Sequence, residues 1–171
     1  RIYSCPIGPG ALPVLAPIVT LLNLELYHCG LVTDNDVNQA LKDPQTRCIR
    51  RLFLSHCASL KGYDMDNIGL LPDLQVLSLH NCTQLVSLQF LRQLVAPLQR
   101  LDLSRCSQLS IRTFSSDLRR LGTTLSASAP RATVRLAEYD SVYQSGQLNT
   151  WLAQTQATRR WDLDLKNEPL R

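Results

Sequence analysis

The sequence predicts an α/β solenoid: a short, curved parallel sheet with helices on its outer side, built by stacking strand–turn–helix units. Three observations carry this expectation. First, a nine-residue phrase of aliphatic-x-x-Leu-x-Leu-x-x-Cys occurs four times, at Leu21-x-x-Leu24-x-Leu26-x-x-Cys29, Ile49-x-x-Leu52-x-Leu54-x-x-Cys57, Leu74-x-x-Leu77-x-Leu79-x-x-Cys82 and Leu98-x-x-Leu101-x-Leu103-x-x-Cys106. Second, the cysteines step by 28, 25 and 24 residues (29 to 57, 57 to 82, 82 to 106), and self-similarity at such a period marks stacked repeats. Third, the leucines of each phrase alternate with other residues as on a strand, whereas the stretch after each cysteine carries apolar residues at helical spacing.

In chain order, residues 1–18 form a proline-rich N-terminal arm or cap. Pro6, Gly8, Pro9, Gly10, Pro13 and Pro17 are too dense for a regular helix or a central strand. The repeat domain follows over 19–171, with regular repeats in 19–124. After Cys29, Thr33 or Asp34 is placed to cap a helix, Val37, Ala40 and Leu41 share one helical face, and Pro44 ends it. The second return, Lys61 to Asp73, has room for only a short helix before Pro72. The third runs through Leu85, Leu88, Leu91 and Leu94, and the fourth through Ile111, Phe114, Leu118 and Leu121, both read as helical stripes. Degenerate repeats and a C-terminal cap occupy 131–171. Val134-x-Leu136-x-x-Tyr139 keeps the strand but replaces Cys with Tyr, and Trp161-x-Leu163 lacks the terminal Cys. A loop at Ser126–Pro130 separates them from the fourth repeat, and Leu148 to Leu152 reads as one more helix turn. Atypical end units close the open ends of a stack.

At 171 residues, 44% hydrophobic and 19% charged, the chain is long and apolar enough to bury a core and is not disordered. No run approaches the roughly 18 apolar residues of a membrane helix. The net charge of +4 is uneven: residues 1–85 hold 6 Lys/Arg against 7 Asp/Glu, residues 86–171 hold 12 against 7. The Arg-rich C-terminal half suits an acidic protein or RNA neighbour, although basic residues occur only as pairs such as Arg119-Arg120, never as a run. The chain opens on Arg1 with no visible signal or transit peptide, the expectation for a processed form or a fragment.

The phrase Leu-x-x-Leu-x-Leu-x-x-Cys, followed by Leu31-Val32-Thr33-Asp34 and an apolar helix, resembles the cysteine-containing subclass of leucine-rich repeats over residues 19–106. That subclass is best known from F-box substrate receptors of ubiquitin ligases. In size and layout, with a proline-containing lead-in, about four repeats and the ending Trp161-Asp162-Leu163-Asp164-Leu165-Lys166, the chain is also similar to coupling factor B of mitochondrial ATP synthase and its relatives in respiratory-complex assembly. This second resemblance implies a small, mitochondrial, non-enzymatic subunit.

Candidate chemistry is sparse. Four of the six cysteines occupy one inward repeat position, where a small polarizable side chain packs as core. No C-x-x-C pair exists, and reduced thiols fit a matrix or cytoplasmic compartment. Cys5 and Cys48 lie off this ladder and receive no role. His28, His56 and His80 all lie at strand exits. His28 and His56 share a column, so their imidazoles become neighbours when strands pack about 4.8 Å apart. Alternation sends the adjacent cysteines to the opposite face, so no metal is expected, and the histidines read as a polar stripe facing a partner. Asp34, Asp36, Asp64 and Asp66 read as helix caps. Neither a nucleophile elbow, a glycine-rich phosphate loop nor a zinc-protease motif is present. No catalytic residue, cofactor or small-molecule substrate is expected.

What remains is the concave side of the sheet, lined by the outward strand positions. Glu25, Tyr27, Arg51, Phe53, Ser78, His80, Arg100, Asp102 and Arg135 are the candidate partner-binding residues, because aromatic and arginine side chains anchor protein interfaces. The expected function is a non-catalytic scaffold, an accessory or assembly subunit of a large mitochondrial complex. The alternatives are the repeat domain of an F-box-type ubiquitin-ligase receptor, with an F-box upstream of Arg1, and an RNA-contacting mitochondrial ribosomal subunit.

Overall fold

Alternation of leucine with polar residues converts each phrase into a strand, and the distance between phrases sets how the strands pair. The computed structural model describes residues 2–4, 21–96, 98–109, 132–135 and 161–164, the last two segments as backbone. Its strands are Ile2–Tyr3 (β1), Asn23–Tyr27 (β2), Arg51–Ser55 (β3), Val76–Ser78 (β4), Arg100–Asp102 (β5), Ala132–Arg135 (β6) and Trp161–Asp164 (β7). Among the described residues they form one all-parallel sheet with the strands side by side in chain order. The protein is therefore mixed α/β, with little helix among the described residues.

Pairing register and repeat register coincide. Leu24 pairs with Leu52, Leu52 with Leu77 and Leu77 with Leu101, so equivalent positions of successive phrases lie in line across the sheet, and Val134 and Leu163 extend the line. The line of leucines turns to one side, where Leu26, Ile49, Leu52, Leu54, Leu74, Leu77, Leu79, Leu98 and the outer-segment leucines form a continuous core. Burying each such side chain contributes roughly 2 kcal/mol, and a register slip by one residue would expose the whole row.

β1 lies inside the segment read as an arm. Ile2 pairs with Leu26 and Tyr3 with Tyr27, a 24-residue step that also separates Cys5 from Cys29 in the sequence. Ile2-x-x-Cys5 is thus the tail of a fifth phrase, hidden because its leading leucines are missing. The remainder of the arm, the fourth return segment, the loop at 126–130 and the turn at 148–152 lie outside the described residues.

The return segments correct part of the helical reading. α1 spans Asp34–Ala40 with Thr33 as N-cap, its hydroxyl accepting from the Asp36 N–H while the Asp36 carboxylate accepts from the Thr33 N–H, a reciprocal capping box. α2 is the short helix expected, Asp66–Gly69. The leucine series 85, 88, 91 and 94 does not form an α-helix. It lies in turns and a 3₁₀ segment, Gln89–Gln93: Leu85 donates to Cys82 O, Leu91 to Leu88 O and Leu94 to Leu91 O. Steps of three match a 3.0-residue turn, not a 3.6-residue one, so an unbroken three-step series faces the core only as 3₁₀ turns.

Neighbouring return segments are tied by polar side chains. Asp34 accepts from the N–H groups of Lys61 and Tyr63, and Asn67 donates twice to Asn38, its backbone N–H to the Asn38 side-chain oxygen and its side-chain amide to the Asn38 carbonyl. Gly62 sits at φ +87° with the Ser87 carbonyl where a Cβ would be, so both conformation and space demand glycine. Gly62→Ala is expected to cost about 2 kcal/mol or more, read as a lowered midpoint in urea unfolding.

Each repeat cysteine is buried and directs its sulfur at a main-chain carbonyl: Cys82 at Leu54 O, 2.9 Å, and Cys106 at Leu79 O, 3.1 Å. Burial pushes the Cys57 and Cys106 thiols up to about 12 and the Cys82 thiol well above its usual range. The thiolate is the reactive form, so these sulfurs should resist a disulfide-exchange reagent at pH 8 until the chain is unfolded. In a Cys5→Ser variant the exposed Cys48 should be the one thiol titrated rapidly, and fast labelling of Cys57 or Cys82 would contradict the packing.

Candidate functional site

The face of the sheet opposite the leucines carries the odd-numbered positions of β2 and β3 and their partners. Register places Glu25, Phe53, Ser78, Asp102 and Arg135 in one line, the column expected from sequence. Arg51 and Arg100 are exposed, Tyr27 and Phe53 half-buried, and the two aromatic rings stack with centroids 6.5 Å apart. Arg135 is placed in β6 by its backbone.

Three members of that column are not presented to solvent, contrary to expectation. Ser78 and Asp102 are each 2% exposed and Glu25 8%. The two short side chains are held against the sheet: Ser78 Oγ shares a hydrogen bond with Ser55 Oγ at 3.3 Å, and Asp102 Oδ1 accepts from the Ser104 N–H at 3.0 Å and the Ser104 hydroxyl at 2.6 Å. Glu25 is crowded on its own face by Tyr27, two residues on, and by Phe53 in register on β3. Neighbouring positions on one sheet face lie close enough for large side chains to cover small ones.

Past β2, β3, β4 and β5 the chain makes the same turn. His28, His56, Asn81 and Arg105, each directly before a repeat cysteine, have φ of 56°, 60°, 55° and 61°, the left-handed region seldom visited by residues other than Gly, Asn and Asp. The turn is held because His28 N–H donates to Ser55 O, His56 N–H to His80 O and Asn81 N–H to Ser104 O. Ser4, at φ 45°, takes the same conformation beside Tyr27 O.

This turn assembles the histidines. The rings of His28 and His56 stack at 4.0 Å, and His80 meets His56 edge-on at 5.1 Å. The predicted adjacency of His28 and His56 holds, and His80 joins them although it lies one position earlier in its phrase. Asn81 Nδ2 donates to His56 Nδ1 at 2.8 Å. Because the Ser104 hydroxyl donates to Asp102, its oxygen accepts from His80 Nδ1–H at 2.6 Å. The order His80–Ser104–Asp102 puts the carboxylate on the hydroxyl and leaves the imidazole at the end. A nucleophilic serine needs the imidazole as its proton acceptor, with the carboxylate behind it. Here the buried Ser104 hydroxyl is pinned, and the chain serves to orient His80.

Parallel stacked imidazoles do not converge their lone pairs on a point, and among the described residues no group of three His, Cys, Asp or Glu side chains is placed to hold a metal ion. Likewise, among the described residues no helix is long and apolar enough to cross a membrane. Sequence reasoning passed over Asn81 and Arg105, and it placed Ser55 and Ser104 on the outward face without choosing them as anchors. The first two were accessible, since they fill the slot before the repeat cysteine that His28 and His56 fill in their own phrases. No protein-family model matches this chain, and no curated protein matches it in sequence.

Burial, then the neighbouring His28, His80 and Arg105, lower the pKa of His56 below its ordinary value. Protonation of Nδ1 would also remove the acceptor that Asn81 uses. The folded protein thus favours the neutral ring, and the unfolded chain takes up this proton first as pH falls below about 6.5. The stability that the neutral ring contributes is complete above that pH and is lost as pH falls toward the folded pKa. Urea midpoints between pH 7.5 and 5.5 should therefore fall more steeply for the native protein than for His56→Gln.

Proposed function

We propose that this chain is a leucine-rich repeat solenoid of the cysteine-containing subclass and acts as a non-catalytic scaffold, an accessory or assembly subunit of a large mitochondrial complex such as ATP synthase or a respiratory complex. The observation that carries the reading is the division of labour between the two sheet faces. One face is wholly committed to a leucine and cysteine core. The other sets Arg51, Arg100 and the Tyr27–Phe53 pair in register on a rigid ladder. Parallel strands in chain order, paired at the repeat step, support the solenoid, because each repeat buries its leucines only against the next.

The chemistry of the described residues supports a binding role. Among the described residues the four repeat thiols are shielded, the serine set between a histidine and a carboxylate is buried in the wrong order for attack, and Asp34, Asp36 and Asp64 are used as a cap and ties. The mitochondrial placement and the likeness to coupling factor B rest on the sequence resemblance.

The test is purification of the tagged chain from mitochondria under mild conditions, followed by mass spectrometry of proteins recovered at stoichiometric ratio. Subunits of one respiratory or ATP synthase complex are expected, and Phe53→Ala and Arg100→Ala should each reduce recovery about tenfold or more, the effect of losing an interface anchor, with circular dichroism unchanged. A monomer that elutes alone overturns the proposal. Recovery of ubiquitin-ligase core subunits, or of ribosomal RNA lost steeply with salt, would assign the face to another assembly.

A further inference from the structure

The outward face narrows once its covered members are set aside. Glu25, Ser78 and Asp102 are buried, so between residues 21 and 109 the middle column of the sheet presents Phe53. The column nearest the strand starts runs Asn23, Arg51, Val76 and Arg100 by register, and the backbones of β6 and β7 continue it with Thr133 and Asp162. Arg51 and Arg100 are exposed, Val76 and Phe53 half-buried. Among the described residues no carboxylate is paired with either guanidinium. Neighbouring parallel strands lie about 4.8 Å apart, so Arg51 and Arg100, two strands apart, stand at bases about 9.6 Å from each other with Val76 between them.

A partner that uses both guanidiniums must carry two carboxylates about 10 Å apart on one side, with an apolar side chain between them. An extended chain does not match. Its side chains on one face recur at about 6.6 and 13 Å, two and four residues at about 3.3 Å each. An α-helix does match: residues i and i+7 share a side and lie about 10.5 Å apart at 1.5 Å per residue, and i+3 and i+4 fall between them. We propose that the outward face docks an acidic amphipathic helix of a partner protein, laid across the strands with carboxylates at i and i+7 on Arg51 and Arg100 and apolar residues at i+3 and i+4 over Val76 and Phe53. A helix is about 10 Å wide, enough to cover Phe53, two residues along β3 from Arg51. A guanidinium meets a carboxylate through two N–H groups at once, which fixes where the helix sits along the column. Asp162, at the same column on β7, limits the acidic stretch, because carboxylates continued past Arg100 approach a like charge. A nucleic acid fits less well: Val76 interrupts the cationic column, and the Tyr27 and Phe53 rings stack on each other and present no free platform for bases. This inference rests on the scaffold reading and adds the chemistry and shape of the partner.

The test uses the full chain and labelled, stapled helical peptides read by fluorescence anisotropy at low salt. The matched peptide carries Glu at i and i+7 and Leu at i+3 and i+4. A control of the same composition moves the second Glu to i+5, roughly 140° round the helix from the first, and another breaks the helix with Pro. The matched helix should bind about fivefold tighter than either control, the effect of one more partly exposed ion pair. Arg51→Gln and Arg100→Gln should each remove that preference. Both side chains are exposed, so circular dichroism should not change. If either variant does not fold, Glu→Gln at i or i+7 of the peptide gives the same reading with the native chain, and each should cost about fivefold. A control peptide or oligouridylate bound as tightly as the matched helix, or a preference that survives both arginine substitutions, overturns the proposal. A stoichiometric protein partner recovered by a chain that does not prefer the matched helix would leave the scaffold reading standing and remove this one. Spacing-dependent binding by a chain that recovers no partner would do the reverse.

Discussion

Strand-to-strand hydrogen bonding in a single register is the constraint on which the rest depends. The ladder does not stop at the strands. Before them, Arg50 and Arg51 both donate to Leu22 O, Gln75 and Val76 to Arg50 O, and Gln99 and Arg100 to Gln75 O. After them, His28, His56 and Asn81 donate across to the next repeat. Each repeat's backbone is satisfied by its neighbour, so no repeat is free to shift alone. Unpaired backbone groups in the interior are costly, and that cost locks Leu52 to Leu77 as firmly as the packing does.

The same ladder builds the outward face. At the exits of β2 to β5 a left-handed residue precedes each buried cysteine, and the side chains of His28, His56 and His80 meet across the strands. Histidine gains little from that conformation, yet His28 and His56 adopt it with their N–H groups meeting the carbonyl across the gap. The imidazole contacts are therefore a by-product of backbone satisfaction that sets three rings against one another. The chain His80–Ser104–Asp102 then fixes one ring and removes a carboxylate from the surface in the same stroke.

Packing of the return segments follows from how little length they have. Between Cys82 and Leu98 the chain must span the edge of the sheet, bury four leucines and come back. Turns with i to i−3 bonds rise about 2.0 Å per residue against 1.5 Å for an α-helix, so they cover the distance with fewer residues. α1 had more polar residues to spend and a capping box to start it, and it formed a regular helix.

The strands, their parallel order and their register were legible in the sequence, because the period-two leucines and the cysteine step are both written into it. The close approach of His28 and His56 was legible for the same reason. Ile2–Tyr3 was passed over since only the end of its phrase survives among prolines and glycines, although the 24-residue step from Cys5 to Cys29 marks it. The three-step leucine series was read with the wrong helical pitch. Burial of Glu25, Ser78 and Asp102 had no signal along the chain: a polar residue at an outward strand position looks the same whether it meets water or a neighbour's hydroxyl. By itself the sequence determined which side chains line which face, since that depends on local periodicity alone. Only the tertiary structure decided which of those side chains remain available, because Ser78 and His80 are engaged by groups 23 and 24 residues away that the pairing brings within hydrogen-bond distance, while Asp102 is held by Ser104 two positions on.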